Sequence, residues 1–272
     1  MADCDHNCES CGVEGCGERQ IEKAKMCEGS SAKKVIGILS GKGGVGKSFV
    51  TSALAVSLAR EGYKVGILDA DVTGPSIPKA FGVKGPLYGN GKNILPVKSQ
   101  LGIKIVSSNL MLDNEAEPIV WRGVLLSSLV RQFYEEVYWG ELDYLLIDMP
   151  PGTGDISLTV FQSIPLDELI IVTSPQDLVS LIVSKALGMA KLMNINVLGV
   201  IENMSYVLCP DCGKKINVFG DSKLDTFAKE MDFNVLAKLP IVSENTKLID
   251  EGRAESIYVP ELDAAVDKIL EK

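Results

Sequence analysis

Eight consecutive residues, Gly41-Lys42-Gly43-Gly44-Val45-Gly46-Lys47-Ser48, keep the spacing of a glycine, four residues, then Gly-Lys-Ser, and that spacing does phosphate chemistry. The glycines let backbone N–H groups turn inward around a phosphate. A helix starting at Lys47 adds its positive dipole end, and the Lys47 ammonium adds a full charge. Ser48 offers its hydroxyl to Mg²⁺. An incidental glycine-rich turn would need the strand before it, the helix after it, the lysine and the serine to coincide by chance.

Two later runs end in acids: Leu68-Asp69-Ala70-Asp71 and Leu145-Leu146-Ile147-Asp148. Carboxylates there fall at the C-terminal edge of a sheet, where open α/β folds bind ligands. Asp71 is the candidate for positioning an attacking water; its other reading is a helix cap for the segment after Pro75. Asp148, closing a buried strand, stands where a carboxylate meets Mg²⁺, usually through the ion's water shell. The next residues, Met149-Pro150-Pro151-Gly152-Thr153-Gly154-Asp155, are stiff at the prolines and permissive at the glycines. They suit a loop that senses a terminal phosphate through Gly152, or a plain rigid turn.

Cysteine supplies the second chemistry. Of seven cysteines, Cys4, Cys8, Cys11, Cys16 and Cys27 crowd the first 27 residues, and a chain of this size folds without disulfide staples. Metal or redox chemistry is the better reading. Cys209-Pro210-Asp211-Cys212 offers two thiolates, half of what a zinc site or a cysteine-held iron–sulfur cluster takes. The other half must come from a second copy of the chain or from the N-terminal cysteines. Thiolates alone do not separate zinc from iron and sulfide. In the head, Cys8-Glu9-Ser10-Cys11 forms a second Cys-x-x-Cys; a cluster, zinc and reactive thiols all stay open there, with His6 a bystander.

These residues need a scaffold to hold them. Val35–Leu39, Val65–Leu68, Tyr144–Ile147, Leu169–Val172 and Val197–Ile201 are near-continuous apolar runs, as strands covered on both faces are. Helical spacing marks Lys47–Arg60, Val124–Val137 and Leu178–Met193, and Leu262–Leu270 reads as a short acidic helix. Alternation of the two predicts an α/β fold: a doubly wound, mostly parallel sheet flanked by helices. Residues 87–106 read as a hairpin-bearing insertion. Residues 1–31 carry three basic against seven acidic side chains and almost no large apolar ones, so they form a cysteine-rich arm, mobile without a ligand; residues 32–272 form the domain.

The formal charge of −9 gives no general attraction to nucleic acid or anionic lipid, so neither is expected as a partner. The last helix is acidic rather than basic, with Glu261, Asp263, Asp267 and Glu271 against Lys268 and Lys272, which argues against membrane attachment. The start, Met-Ala-Asp-Cys-Asp-His, lacks the pattern of a signal peptide, so a cytoplasmic protein is expected.

Lys42 makes the loop the deviant form Lys-Gly-Gly-x-x-Gly-Lys-Ser, which resembles that of nitrogenase iron protein, MinD and ParA, a SIMIBI-like group of P-loop NTPases. Together with Asp69–Ser76, Asp148–Asp155, Asn203-Met204-Ser205 and the late Cys-x-x-Cys, it resembles the Mrp/ApbC family of iron–sulfur carrier ATPases over roughly residues 32 to 260. The resemblance implies ATP hydrolysis with Mg²⁺, with Lys42, Lys47 and Asp71 catalytic and Lys42 reaching the partner protomer's nucleotide. It implies Asn203 at the adenine edge and Pro240 near the base. It also implies a [4Fe-4S]-type cluster bridged between the Cys209/Cys212 pairs of a homodimer and passed to client apoproteins. Competing readings are a MinD- or ParA-like spatial-organising ATPase and a zinc-stabilised regulatory ATPase. For Lys42 a solvated loop position, and for Asn203 an ordinary strand-end turn, are the plainer alternatives.

Overall fold

The computed structural model describes residues 22–71, 74, 76–111, 123–152, 154–175 and 179–270. In the first half β1 (Ser31–Ser40) leads through the glycine loop into α1 (Lys47–Arg60). β2 (Val65–Asp69), α2 (Ile77–Ala80), the short strands β3 (Tyr88–Gly89), β4 (Ile94–Leu95) and β5 (Val97–Lys98), and then β6 (Lys104–Ser107) follow. Next come α3 (Gly123–Glu136), β7 (Glu141–Asp148), α4 (Asp155–Ser163), β8 (Glu168–Thr173), α5 (Val179–Leu192) and β9 (Asn196–Leu208). The chain closes with β10 (Lys215–Ile216), α6 (Leu224–Met231), β11 (Val235–Pro240), α7 (Ser243–Asp250) and α8 (Asp263–Leu270).

The main sheet runs β10-β9-β8-β1-β7-β2-β6-β5, and β11 also pairs with β9. Every pairing among β1, β2, β6, β7, β8, β9 and β11 is parallel; β5 and β10 join antiparallel at the ends. Side chains alternate across a strand, and here both faces are covered. Ile36 and Ile38 of β1 point into a core shared with α1, α7 and α8. Val35 and Leu39 point into a second core shared with α3, α4 and α5. The five apolar runs therefore lie inside five strands of the sheet, which is the doubly wound fold expected from the sequence.

Helix α1 is buried nearly all round, with Val50, Leu54, Ala55 and Leu58 fully inside, because α2 and α8 pack on it as well as the sheet. It ends at Glu61 and Gly62, whose φ of +89° reverses the chain. Residues 87–106 differ from the expected insertion. They do carry two short hairpins, but β6 is an integral strand, parallel to β2 in the register Asp69↔Ser107. Only four residues long, it is too brief to stand out by periodicity. Helices α4, α6 and α7 and strand β11 add to the elements expected from the sequence.

Strand β1 begins at Ser31, and the described residues before it lie against the domain. Ala24 is buried, its N–H bonded to Ser163 O at 2.6 Å, and Lys23 Nζ donates to Phe161 O at 2.7 Å. The thiol of Cys27 donates to Val137 O at 3.2 Å. Cys4, Cys8, Cys11 and Cys16, and with them the head Cys-x-x-Cys, lie outside the described residues. No helix among the described residues is long and apolar enough to cross a membrane.

Candidate functional site

The register of the sheet assembles the site at its C-terminal edge. β2 and β7 pair so that Asp69 lies opposite Asp148, and the glycine loop from β1 passes over both into α1. Gly44 and Gly46 take left-handed φ values of +79° and +78°, which a side chain would resist. Gly41 has no room for one either: a Cβ there would lie 1.7 Å from Ile182 Cγ2 of α5. The loop borders a cleft of about 310 Å³ that also reaches Lys47, Ser48, Asp71 and Pro151. Gly43, Gly44, Val45 and Gly46 line it with backbone, as a phosphate cradle requires.

Lys47 is 5% exposed. Its ammonium lies 2.9 Å from Asp148 Oδ2 and 3.5 Å from Asp71 Oδ2, yet it makes no aligned hydrogen bond among the described residues. The ammonium is held chiefly by the charge of these two carboxylates, and with three N–H donors it has capacity left for a phosphate oxygen. Asp148, fully buried, accepts Ser48 Oγ at 2.6 Å on one oxygen and Thr51 Oγ1 at 2.7 Å on the other. Ser48 and Asp148 thus converge as hard oxygen donors, the set that suits Mg²⁺.

Asp69 is fully buried, and burial first, then the neighbouring Asp148 carboxylate, holds its pKa well above the usual range. Ser107 Oγ donates to its Oδ2 at 3.1 Å and the Asp71 N–H to its Oδ1 at 3.2 Å. Through that second bond Asp69 orients the backbone of Asp71. Asp71 faces Lys47, while α2, from Ile77, has no side-chain cap hydrogen bond at its N-cap residue Ser76. One ammonium meets the carboxylates of Asp71 and Asp148 beside the phosphate loop, an arrangement that suits a polyphosphate arriving with a divalent cation. Asp69, Thr51 and Ser107 had no assigned role in the sequence reading. Thr51 was detectable in principle, one helical turn after Lys47 on the same face; Ser107 was not, because only β6's place beside β2 reveals it.

Gly152 has φ +84° and donates its N–H to Ser40 O at 2.7 Å, tying the Met149–Gly154 loop to the end of β1. Lys42, partly exposed, stands on the glycine loop. Asn203 is buried and donates its carboxamide Nδ2–H to Val45 O at 2.9 Å, whereas Pro240 pairs in register with Tyr206, three residues further along β9. The structure therefore brings Lys42, Lys47, Ser48, Asp71, Asp148, Gly152 and Asn203 to one sheet edge.

The cysteine pair sits on the hairpin that continues β9. Cys209 N–H donates to Lys214 O and Gly213 N–H to Cys209 O, both at 2.9 Å, which closes a tight knuckle. Neither cysteine is in a disulfide; Cys209 is half-buried and Cys212 exposed. The backbone N–H groups of Cys212 and Asp211, followed by the Cys212 side chain, hold the Cys209 pKa below an ordinary thiol's, which favours the thiolate that binds metal. Among the described residues, no cluster of three or more His, Cys, Asp or Glu is placed to hold a metal ion.

With this geometry, residues 31–272 match the family model described as NUBPL iron-transfer P-loop NTPase. The chain belongs to that family. Among its relatives, a Clostridium perfringens protein named iron-sulfur cluster carrier protein is 48% identical over 237 residues, covering 84% of this chain and 83% of the relative. A Methanocaldococcus jannaschii protein of the same name is 45% identical, covering 93% and 90%. Among solved structures, a nucleotide-binding protein from Archaeoglobus fulgidus in complex with ADP superposes with a TM-score of 0.76 at 43% identity, over 85% of this chain and 90% of that one. As a member of the iron-transfer P-loop NTPases the chain is an ATPase, and the expected Mrp/ApbC kinship and doubly wound fold are found.

Proposed function

We propose that this chain is an ATP-hydrolysing iron–sulfur carrier that works as a cytoplasmic homodimer. It holds a [4Fe-4S]-type cluster between the Cys209/Cys212 knuckles of two copies and hands it to apoproteins. The observation that carries this reading is a surface pair of free thiols, one of them with a lowered pKa, on the same chain as a preformed phosphate loop. Two thiolates make half a cage; a second, symmetry-related knuckle completes it. Thiolates and a labile cluster also call for a reducing compartment. The family and the names of the relatives point the same way.

In hydrolysis the glycine-loop amides and Lys47 bind the phosphates, and Ser48 and Asp148 would hold Mg²⁺, which would supply positive charge against the negative charge of the transferred phosphoryl group. Asp71 orients the water that attacks the γ-phosphorus; the bond to the bridging oxygen of ADP breaks and the proton leaves on the released phosphate. Lys42 reaches the nucleotide of the partner copy, so that dimerisation completes each site. Asn203 and Pro240 border the base, and the Gly152 loop responds to the loss of the terminal phosphate.

Anaerobic reconstitution with iron and sulfide tests the carrier reading. Wild type should gain charge-transfer absorption in the visible and about four irons per dimer, the count of one cubane. Cys209→Ser combined with Cys212→Ser should gain neither. Full iron and sulfide on the double variant, or on a strictly monomeric wild type, overturns the bridging site.

A further inference from the structure

Glu202 is a charged residue 1% exposed, next in sequence to Asn203, and no step above uses it. Its Oε1 accepts Ser222 Oγ at 2.7 Å, and its Oε2 accepts Ser205 Oγ. Ser205 belongs to the same strand, β9. Ser222 closes the excursion that begins at Cys209, passes through β10 and returns to α6, where its hydroxyl also accepts the Leu224 N–H at 3.2 Å. A buried carboxylate is costly unless its oxygens are satisfied, and here half of that satisfaction comes from the far end of the cysteine hairpin. The near end is fixed by the Lys215↔Leu208 and Ile216↔Val207 pairing and by Lys215 Nζ, 4.2 Å above the Tyr206 ring.

The neighbouring residue faces the nucleotide loop. Asn203 Nδ2 holds Val45 O at 2.9 Å, and a Cβ on Gly46 would come within 2.2 Å of that same nitrogen. With no slack between Asn203 and Gly46, a rearrangement of the loop around phosphate must displace Asn203 or be resisted by it. Directly after these two residues the strand is not regular: Met204 takes a left-handed φ of +59°. Residues 202 to 205 thus join the phosphate loop on one side and the return leg of the cysteine hairpin on the other.

We infer that Glu202, through Ser222, is the positioning residue that carries the state of the nucleotide loop to the Cys209/Cys212 knuckle. The inference rests on the proposed function for its purpose, since a carrier needs its cargo site to register the nucleotide. The device is one strand segment with two side-chain contacts, Asn203 to Val45 and Glu202 to Ser222, biased at one end by phosphate.

Hydrogen exchange on the full, cluster-free chain tests it, with Mg·ADP and a non-hydrolysable ATP analogue as probes. In wild type each nucleotide should change exchange in residues 206–222. In Ser222→Ala and in Glu202→Gln, nucleotide affinity should stay within about twofold of wild type while the response of residues 206–222 falls by roughly threefold or more. Ser222→Thr, which keeps the hydroxyl, should restore it. An unresponsive knuckle in wild type, an undiminished response in both variants, or loss of nucleotide affinity in both overturns the inference. Because no cluster is present, a knuckle that binds no iron and a joint that transmits nothing give separate results.

Discussion

Asp69 and Asp148 lie opposite one another on neighbouring parallel strands, two buried carboxyl groups at the same level of the sheet. Like charges this close are not both accommodated by one lysine. Lys47 sits against Asp148 at 2.9 Å, and Asp69 is instead held above the usual carboxylate range by burial and by Asp148. The pair is thereby split into a carboxyl matched to the Lys47 ammonium and one with a raised pKa that accepts the Asp71 N–H.

That split predicts a pH effect on stability. Asp69 has a folded-state pKa above its unfolded value, so its contribution is fully present below the unfolded pKa and is lost as pH rises through the folded one. Asp69→Asn, which keeps the shape and a partner for Ser107 Oγ, should melt above wild type at pH 8 by roughly 3 °C, the shift about 1 kcal/mol produces in a domain of this size. The advantage should shrink as pH falls toward 5. Thermal unfolding across that range measures it, and a constant gap would show that Asp69 does not titrate there.

Removing the ammonium should have two consequences at once. Lys47→Ala leaves Asp71 and Asp148 without their cation, so the nucleotide-free protein should lose about 3 kcal/mol, as broken buried pairs do. Nucleotide binding should disappear as well. Denaturant titration and fluorescent-ADP binding read the two effects, and retained ADP binding would remove Lys47 from the phosphate site.

Asp71→Ala should separate binding from turnover. Its carboxylate faces the lysine at 3.5 Å from the rim of the cleft, so nucleotide affinity should persist while hydrolysis falls about 100-fold or more, the range of a lost water-positioning group. Steady-state phosphate release decides; undiminished hydrolysis assigns Asp71 a structural part only.

Gly46→Ala should injure the loop through both backbone and packing. The residue has φ +78°, and the new methyl would meet Asn203 Nδ2 at 2.2 Å. Strain of about 1–3 kcal/mol is expected at such a position, with ADP affinity down roughly tenfold or more. Adding Asn203→Ala should recover part of the stability but none of the loop geometry, which a thermal melt beside an ADP titration distinguishes.

The local motifs were legible because they depend on the chain alone. A phosphate loop is a run of backbone amides freed by glycine and followed at once by a helix, so Gly41–Ser48 needs no distant residue to be recognised. The same holds for the two acids that end apolar strands, for the knuckle at Cys209 and Cys212, and for the five near-continuous runs that implied a sheet covered on both faces. What folding decided is which of these distant pieces touch. Asp69 lies 79 positions from Asp148 in sequence, yet the parallel register sets them side by side and raises one pKa. Ser107 meets Asp69 because a four-residue strand too short to read slots beside β2. Glu202 and Ser222 pair across the cysteine hairpin for the same reason: burial forces each polar group to find a partner, and only the packed chain determines which one is within reach.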